Sequence, residues 1–528
     1  MPRKRMRRRS TFGLSHYRLF SAKMGYIYPI ACYEVLPGDT FRQSTSLFLR
    51  LAPLVTPVMH PVHVKIHSWY VPYRLLWEDW EDFRTRGPEG TDASEVPYIT
   101  APSGGFPVGS LADYLGIPTG IEGLTVNAFA FRAYNYIFNE NYRDERVQDE
   151  LPWVMTGGAD TTTSTALAPS PWGRDYFTTA SPTPQTGPEV SIPVNLTQAG
   201  EPSYSITSTG SPTFKATQFG QTMEGQKLQA SWQTINAANA TMKFDNAAPT
   251  IPGATLGNTG SANADKSGVA PLEWDNPALK INFTAGNPEL GSINIADWRE
   301  AMAMQRFEET RSLWGARYNE FLMDMGIRPS DARLQLPEYL GGGRQTIQFS
   351  EVLQTAPGGE DPVGALKGHG IGAMRTNRFR RFFEEDGIVL TFAMVRPIGI
   401  YMQGLHKMWS RRSFAEFYNY QFEHLSQQPV YTRELYAGVT DQDKVFGYQN
   451  IYDDYRSIPS QVSGEMRTIL NSWHMARDFS NEPVLNGDFM TSPPTNRIFA
   501  AQENDTLYCM AHHTIHSRRL LPRFGDPR

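Results

Sequence analysis

Histidines gather in two stretches, HPVHVKIH with His60, His63 and His67, and CMAHHTIHSRR with His512, His513 and His516. Imidazole at that density is a candidate ligand set for zinc. Both stretches alternate and carry β-branched residues, so they predict strands. At about 3.3 Å of rise per residue, His512 and His516 stand about 13 Å apart, whereas zinc ligands lie about 2 Å from one ion. His63 and His67 fail in the same way, and the helix that would unite them is disfavoured by Pro61, Val62, Val64 and Ile66. The expectation is surface or interface histidines, with no metal and no cofactor. The carboxylate runs Glu384-Glu385-Asp386 and Asp453-Asp454 have the composition of a general acid and base, but nothing fixes a separation between them. GGGRQT at 341–346 and GHGIG at 368–372 lack phosphate-loop spacing and predict hinges or turns. With GxSxG, HExxH and CxxC also absent, the sequence holds no catalytic constellation, and the chain reads as a non-enzyme.

The chemistry that remains is electrostatic. The opening MPRKRMRRRS carries six cations in nine residues, Arg3, Lys4, Arg5, Arg7, Arg8 and Arg9. Arg18 and Lys23 bring residues 1–24 to +8 without one acid, in a chain of formal charge −5, so the remainder carries −13. So dense a block repels itself, which predicts an arm that stays extended or disordered until a partner orders it. Cations that neutralise phosphates release counterions and bind nucleic acid without regard to sequence. Phe12, Tyr17 and Phe20 follow, and aromatic rings suit unpaired bases, at about 1–3 kcal/mol per stacked base. The six cations are therefore the candidate nucleic-acid-binding residues; a solubilising or localisation tail is the alternative.

These residues need a frame. A chain of 528 residues suggests two or three domains, or one core with large insertions. The abundance of glycine (44) and proline (38), with short punctuated apolar stretches, favours an all-β chain with long loops. FRQSTSLFLRL (41–51) alternates as a half-buried strand and VKIHSWYV (64–71) reads as a second. IVLTFAMV (388–395) is continuously apolar and predicts a strand buried on both faces; at eight residues it is far too short to span a membrane, which takes roughly 20. Leu76, Trp80 and Phe83 recur at helical spacing, and the acids of WEDWEDF spread round that helix as a solvated face. Ile295, Trp298 and Met302 begin a helical region, and Trp314, Tyr318, Phe321, Leu322 and Met325 form a stripe that Gly326 can end. Between 155 and 290 the composition turns to Thr, Ser, Gly, Ala, Asn and Pro, as an exposed insertion with short strands of its own would. Cys32 and Cys509 alone exclude a disulfide framework and suit a reducing cytoplasm, and the basic head lacks the apolar segment of a signal peptide.

A series of longer motifs then runs in order along the chain: VLPGDTF (35–41), LFLRLAPLVTPVM (47–59), WYVPYRLLWEDWEDF (69–83) and FRAYNYIFNENYRD (131–144). GRDYFTTASPTPQTG (173–187), RYNEFLMDMGIRPSDARLQLPEYLGG (317–342), YMQGLHKMWSRRSFAEFY (401–418), VFGYQ (445–449), WHMARDF (473–479) and LPRFGDP (521–527) complete it. In these the sequence closely resembles the major capsid proteins of the Microviridae, small single-stranded DNA phages, in their gokushovirus-like branch. The resemblance implies a mainly β viral jelly roll, an eight-stranded antiparallel sandwich with long loop insertions and a few helices. It implies a T=1 icosahedral shell of sixty copies around circular single-stranded DNA, in a virion assembled in the bacterial cytoplasm. It further implies a small basic DNA-binding phage protein, a pilot or minor capsid protein and a host surface receptor as partners.

On this reading residues 1–24 are the DNA-facing arm and 25–154 the first part of the jelly roll. Residues 155–290 are a protrusion at the threefold axes that meets the host, and 291–528 hold the helical segment and the rest of the jelly roll. Arg411 and Arg412 of MWSRR would form ion pairs between subunits, in preference to contacting DNA. A glycan-binding or glycan-cleaving jelly roll and a free single-stranded DNA-binding protein are the alternatives.

Overall fold

The alternation of FRQSTSLFLRL is a strand, Thr40–Leu51, in which Phe41, Thr45, Leu47, Leu49 and Leu51 are buried while Arg42 and Arg50 face solvent. A computed structural model describes residues 9–188, 190, 197–198, 203–208, 213–218, 221–227, 272–276, 279–284, 288–289, 295–315, 317–353, 366–425, 427–491, 496–502 and 504–523.

Eleven strands build two antiparallel sheets. In chain order they are β1 (Ser10–Gly13), β2 (His16–Ala22), β3 (Ile27–Val35), β4 (Thr40–Leu51), β5 (Val62–Pro72) and β6 (Glu338–Thr346). The rest are β7 (Gln348–Leu353), β8 (Leu366–Arg375), β9 (Phe379–Phe382), β10 (Gly387–Pro397) and β11 (Leu507–Arg519). The first sheet runs β1-β11-β4-β8-β7, with β2 also on β11 and β9 also on β4; the second runs β6-β5-β10-β3. Leu47, Leu49 and Leu51 of β4 and Ala511 of β11 pack in one cluster with Val64 and Ile66 of β5 and Ala393 and Val395 of β10, so the two sheets form a sandwich of the jelly-roll kind.

A polar seam crosses this core. Gln43 Nε2 donates to Thr391 Oγ1 at 3.2 Å, Thr391 Oγ1 pairs with Ser68 Oγ at 3.0 Å, and His513 reaches Thr45 Oγ1 and the Ile30 carbonyl at 3.0 Å each. His513 is fully buried, and His60 is nearly so, with Nε2 2.9 Å from the Ile398 carbonyl. Those two are core histidines, not the surface or interface ones expected, because a backbone carbonyl meets a nitrogen of each ring.

The opposite face of the second sheet is closed by helices. Ile388, Leu390, Phe392 and Met394 of β10 pack with Phe131, Tyr134 and Ile137 of a helix at Phe129–Asn141, which is why IVLTFAMV is apolar on both faces. Two shorter helices precede it, α1 (Trp80–Thr85) and α2 (Leu111–Leu115), making Phe129–Asn141 α3. From α3, Arg132 enters the interior completely buried. Its guanidinium donates to Asp160 Oδ2 at 2.8 Å, the Leu76 carbonyl at 3.0 Å and the Thr156 carbonyl at 2.8 Å. Asp160 in turn accepts from Thr163 Oγ1 at 2.6 Å. Charge and hydrogen bonds are met together, the condition under which a buried ion pair holds a fold.

Both glycine runs lie inside strands, β6 and β8, where turns or hinges were expected. Their role is close approach: a Cβ on Gly342 would stand 2.1 Å from the Ile66 carbonyl oxygen, and one on Gly370 2.6 Å from Leu51 Cδ1. The helical stripe beginning at Trp314 is also divided. Helix α4 (Ile295–Trp314) stops at Gly315, whose φ is +104°, before α5 (Tyr318–Asp324) begins, and Gly326 follows at +79°.

The chain forms two compact units, 1–189 with 303–528, and 190–302. The compositional boundary at 155 thus precedes the structural one: Trp172, Tyr176 and Phe177 are buried in the first unit despite their Thr- and Pro-rich surroundings. In the second unit the backbone pairs as nested antiparallel ladders. Thr213–Gln218 pairs with Gln221–Lys227 and Leu272–Asn276, Ser203–Ser208 with Leu279–Thr284, and Thr197–Gln198 with Pro288–Glu289.

Candidate nucleic-acid interface

Of the six cations proposed to bind nucleic acid, Arg3, Lys4, Arg5, Arg7 and Arg8 lie outside the described residues. Arg9 lies at the root of the arm, its guanidinium 5.1 Å from the centroid of the Phe382 ring. The rest of the expected arm is strand: β1 and β2 fold back along β11, in registers running from Ser10 opposite Arg519 and from His16 opposite His513. The acid-free N-terminal region is therefore largely built into the edge of the first sheet.

That edge belongs to a larger feature. The strands β1, β2, β4, β8, β9 and β11 together contain nine Lys and Arg residues and no Asp or Glu, in a protein with more acids than bases. Side chains alternate across a sheet, so register decides which of these share the solvent face. Arg42 stands directly opposite Arg380 on one side and His516 on the other. Arg375 is opposite Ser46, which in turn is opposite His512, and Arg518 is opposite Thr11 and Thr40. Arg42, Arg50, Arg375, Arg380 and Arg518 are all exposed, and none forms an ion pair among the described residues. Arg18, Arg381 and Arg519 differ: Arg18 donates to the Asp113 carbonyl at 3.2 Å, Arg381 to Glu338 at 2.5 Å, and Arg519 lies 3.1 Å from Asp39.

Aromatic and apolar groups separate the cations. Tyr17, Leu19, Phe382, Tyr508 and Met510 are exposed on this face, and Tyr17 is two-thirds exposed. Arg50 leans over the Phe48 ring at 5.5 Å, and Leu19, Phe48, Arg50, Tyr508 and Met510 line a shallow apolar depression at one end. Like charges directly opposite on neighbouring strands are unfavourable, and exposed rings gain nothing from water. An anionic, ring-bearing polymer answers both, with phosphates on the guanidinium groups and bases on the aromatic rings.

Sequence reasoning missed this face because its cations come from five separate stretches of chain. The signal was present as an absence, a set of alternating segments with basic residues and no acid.

Other candidates resolve differently. Arg411 is bound inside its own subunit, bonded to Asp454 with both side chains nearly buried and with Tyr455 4.0 Å below its guanidinium. It is thus an internal ion pair where one between subunits was expected, because Asp454 lies on the adjoining turn; Arg412 remains exposed. The carboxylate runs are engaged too, Glu385 with Arg74 at 3.1 Å and Asp386 with Arg84 at 3.0 Å. Burial pushes the Cys32 and Cys509 thiols up to about 12, far from a reactive thiolate. Among the described residues no group of three or more His, Cys, Asp or Glu is placed to hold a metal, and no helix is long and apolar enough to cross a membrane.

Comparison with known proteins gives one consistent result. The family model described as "Capsid protein (F protein)" matches residues 3–528. Capsid protein VP1 of Chlamydia phage 1 is 31% identical, over 98% of this chain and 95% of its own length. Capsid protein VP1 of Bdellovibrio phage phiMH2K is 33% identical over 92% and 88%, and that of Spiroplasma virus 4 is 28% identical over 94% and 90%.

Proposed function

The chain belongs to the phage capsid protein (F protein) family, in the gokushovirus-like branch of the Microviridae, and from that premise we propose that the basic face of its first sheet lines the shell and holds the genome. A capsid protein is a structural component of the virion and assembles with copies of itself. The resemblance of the motif series supports the finer reading: sixty copies in a T=1 shell around circular single-stranded DNA, assembled in the bacterial cytoplasm.

The observation that carries the genome-facing assignment is the five exposed arginines, Arg42, Arg50, Arg375, Arg380 and Arg518, without an ion pair among the described residues, on a sheet of which six of the seven strands hold no carboxylate and the edge strand β7 holds only Glu351. Arg9 adds to that field, since it adjoins Phe382 on that face, and Arg3, Lys4, Arg5, Arg7 and Arg8 are proposed as nucleic-acid-binding residues from their charge alone. The inserted unit is read as the threefold protrusion that meets a host receptor, and a small basic DNA-binding protein and a pilot protein as further partners within the particle.

Electron microscopy of the purified protein tests the shell: closed particles are expected, and a chain that remains monomeric under every assembly condition refutes it. Oligothymidylate binding as a function of salt tests the face. Replacing Arg42 and Arg380 with Gln should flatten the salt dependence, and an unchanged slope removes the face from the genome contact.

A further inference from the structure

The second sheet carries a separate concentration of charge. On β5, His63, Lys65 and His67 point away from the sandwich core, since Val62, Val64 and Ile66 are buried within it. Lys65 stands directly opposite Arg344 of β6, and His63 directly opposite Arg396 of β10. Lys65, His67 and Arg396 line a cavity of about 490 Å³ closed by the 141–146 segment, Pro171, Trp172, Arg174 and the start of α5.

The balance of charge in this cavity is uneven. Its three carboxylates are already committed: Asp144 to Arg146 at 3.0 Å, Glu145 to Arg317 at 3.4 Å, and Glu320 to the Arg317 backbone amide at 3.2 Å. Of the remaining cations lining it, Arg143 is paired with Glu150 at 2.8 Å. That leaves Lys65 and Arg396 with no carboxylate partner among the described residues, while Arg174 shares Asp144 with Arg146, and the only hydrogen bond described for Arg396 goes to the Pro171 carbonyl. Cations set directly opposite one another across strands repel. Burial, then Arg396 and Arg344, hold the Lys65 ammonium down to about 8, and burial, then Lys65 and Arg396, hold His67 down to about 4.

We propose that this cavity binds a phosphate group, with Lys65, Arg174 and Arg396 supplying the charge. A surplus of cations matches a multiply charged oxyanion better than a single carboxylate, and a guanidinium fork is suited to phosphate geometry. Tyr142 and Trp172 also line the cavity, and aromatic walls suit the base of a nucleotide. The site is separate from the sheet face described above and does not depend on it.

The test is calorimetric titration of the full chain with inorganic phosphate at constant ionic strength, alongside thymidine monophosphate and malonate. Saturable binding of phosphate is expected, weakened about tenfold or more in Lys65→Met and in Arg174→Met, the loss expected for one charge-assisted hydrogen bond. Tighter binding of the nucleotide than of inorganic phosphate identifies a nucleotide as the source; equal affinity identifies the free anion. In phosphate-free buffer Lys65→Met should melt higher than the parent protein, because repulsion is relieved. Malonate binding as well as phosphate, or phosphate affinity unchanged in both variants, overturns the proposal.

Discussion

Tyr17 lies stacked on His512, ring centroids 4.3 Å apart and planes 16° from parallel, so that a residue near the start of the chain and one near its end form a single aromatic surface on the solvent side of the first sheet. The pair sits between the arm that begins at Arg9 and the depression lined by Tyr508 and Met510.

If bases stack there, Tyr17→Ala should weaken oligothymidylate binding by about 1–3 kcal/mol while affecting duplex DNA much less, as fluorescence anisotropy would show. A melting curve distinguishes this from loosening of β2: equal losses on single and double strands with a lowered melting temperature refute stacking.

Arg42 and Arg380 are directly opposite each other, so their replacement has two readable effects. Each Arg→Gln change should reduce the slope of log affinity against log salt by about 0.7 on single strands. Without nucleic acid the double variant should melt higher at low salt than the parent, the gain fading as salt rises.

Arg132→Met leaves Asp160 as an unpaired carboxylate in the interior, and a loss of about 3–5 kcal/mol is expected from denaturant unfolding. Asp160→Asn should cost a comparable amount, and the double variant less than the two added together, because one removal has already broken the unit.

His513 sets a pH dependence. Burial and the neighbouring His16 hold it down to about 4, so the folded state resists the proton that the unfolded chain accepts near 6.5. A lowered imidazole pKa means its stabilisation is whole above 6.5 and is lost as pH falls toward 4. Between pH 6.5 and 5 His513 should withdraw about 2 kcal/mol, and His513→Gln should show a shallower fall over that interval in thermal melts at a series of pH values. An identical slope in both proteins would refute the assignment.

Much of the framework could be read from local pattern. The alternation of β4 and the apolar run of β10 each depend on neighbours in sequence, and the structure carries both as expected; of the stripe around Trp80, the helix holds Trp80 and Phe83 but starts after Leu76, which sits at the end of a preceding single turn. The capsid family was legible in the long motifs. Features that depend on partners distant in the chain were not: Gly342 and Gly370 read as turns because the Ile66 carbonyl and Leu51 that crowd them lie hundreds of residues away. His513 read as exposed because Ile30 and Thr45, which satisfy it, belong to other strands. The basic sheet face was invisible for the same reason, since register alone places Arg42 beside Arg380.

The position of β11 has a consequence for synthesis. It lies between β4 on one side and β1 and β2 on the other, so the strands made first have no central neighbour until residues 507–519 have been translated. Until then the basic N-terminal segments are unpaired at the ribosome, with the sandwich core open, and folding waits on the longest loop closure in the chain. A chain terminated before residue 507 would therefore lack the strand that joins β1 and β2 to β4 in the first sheet.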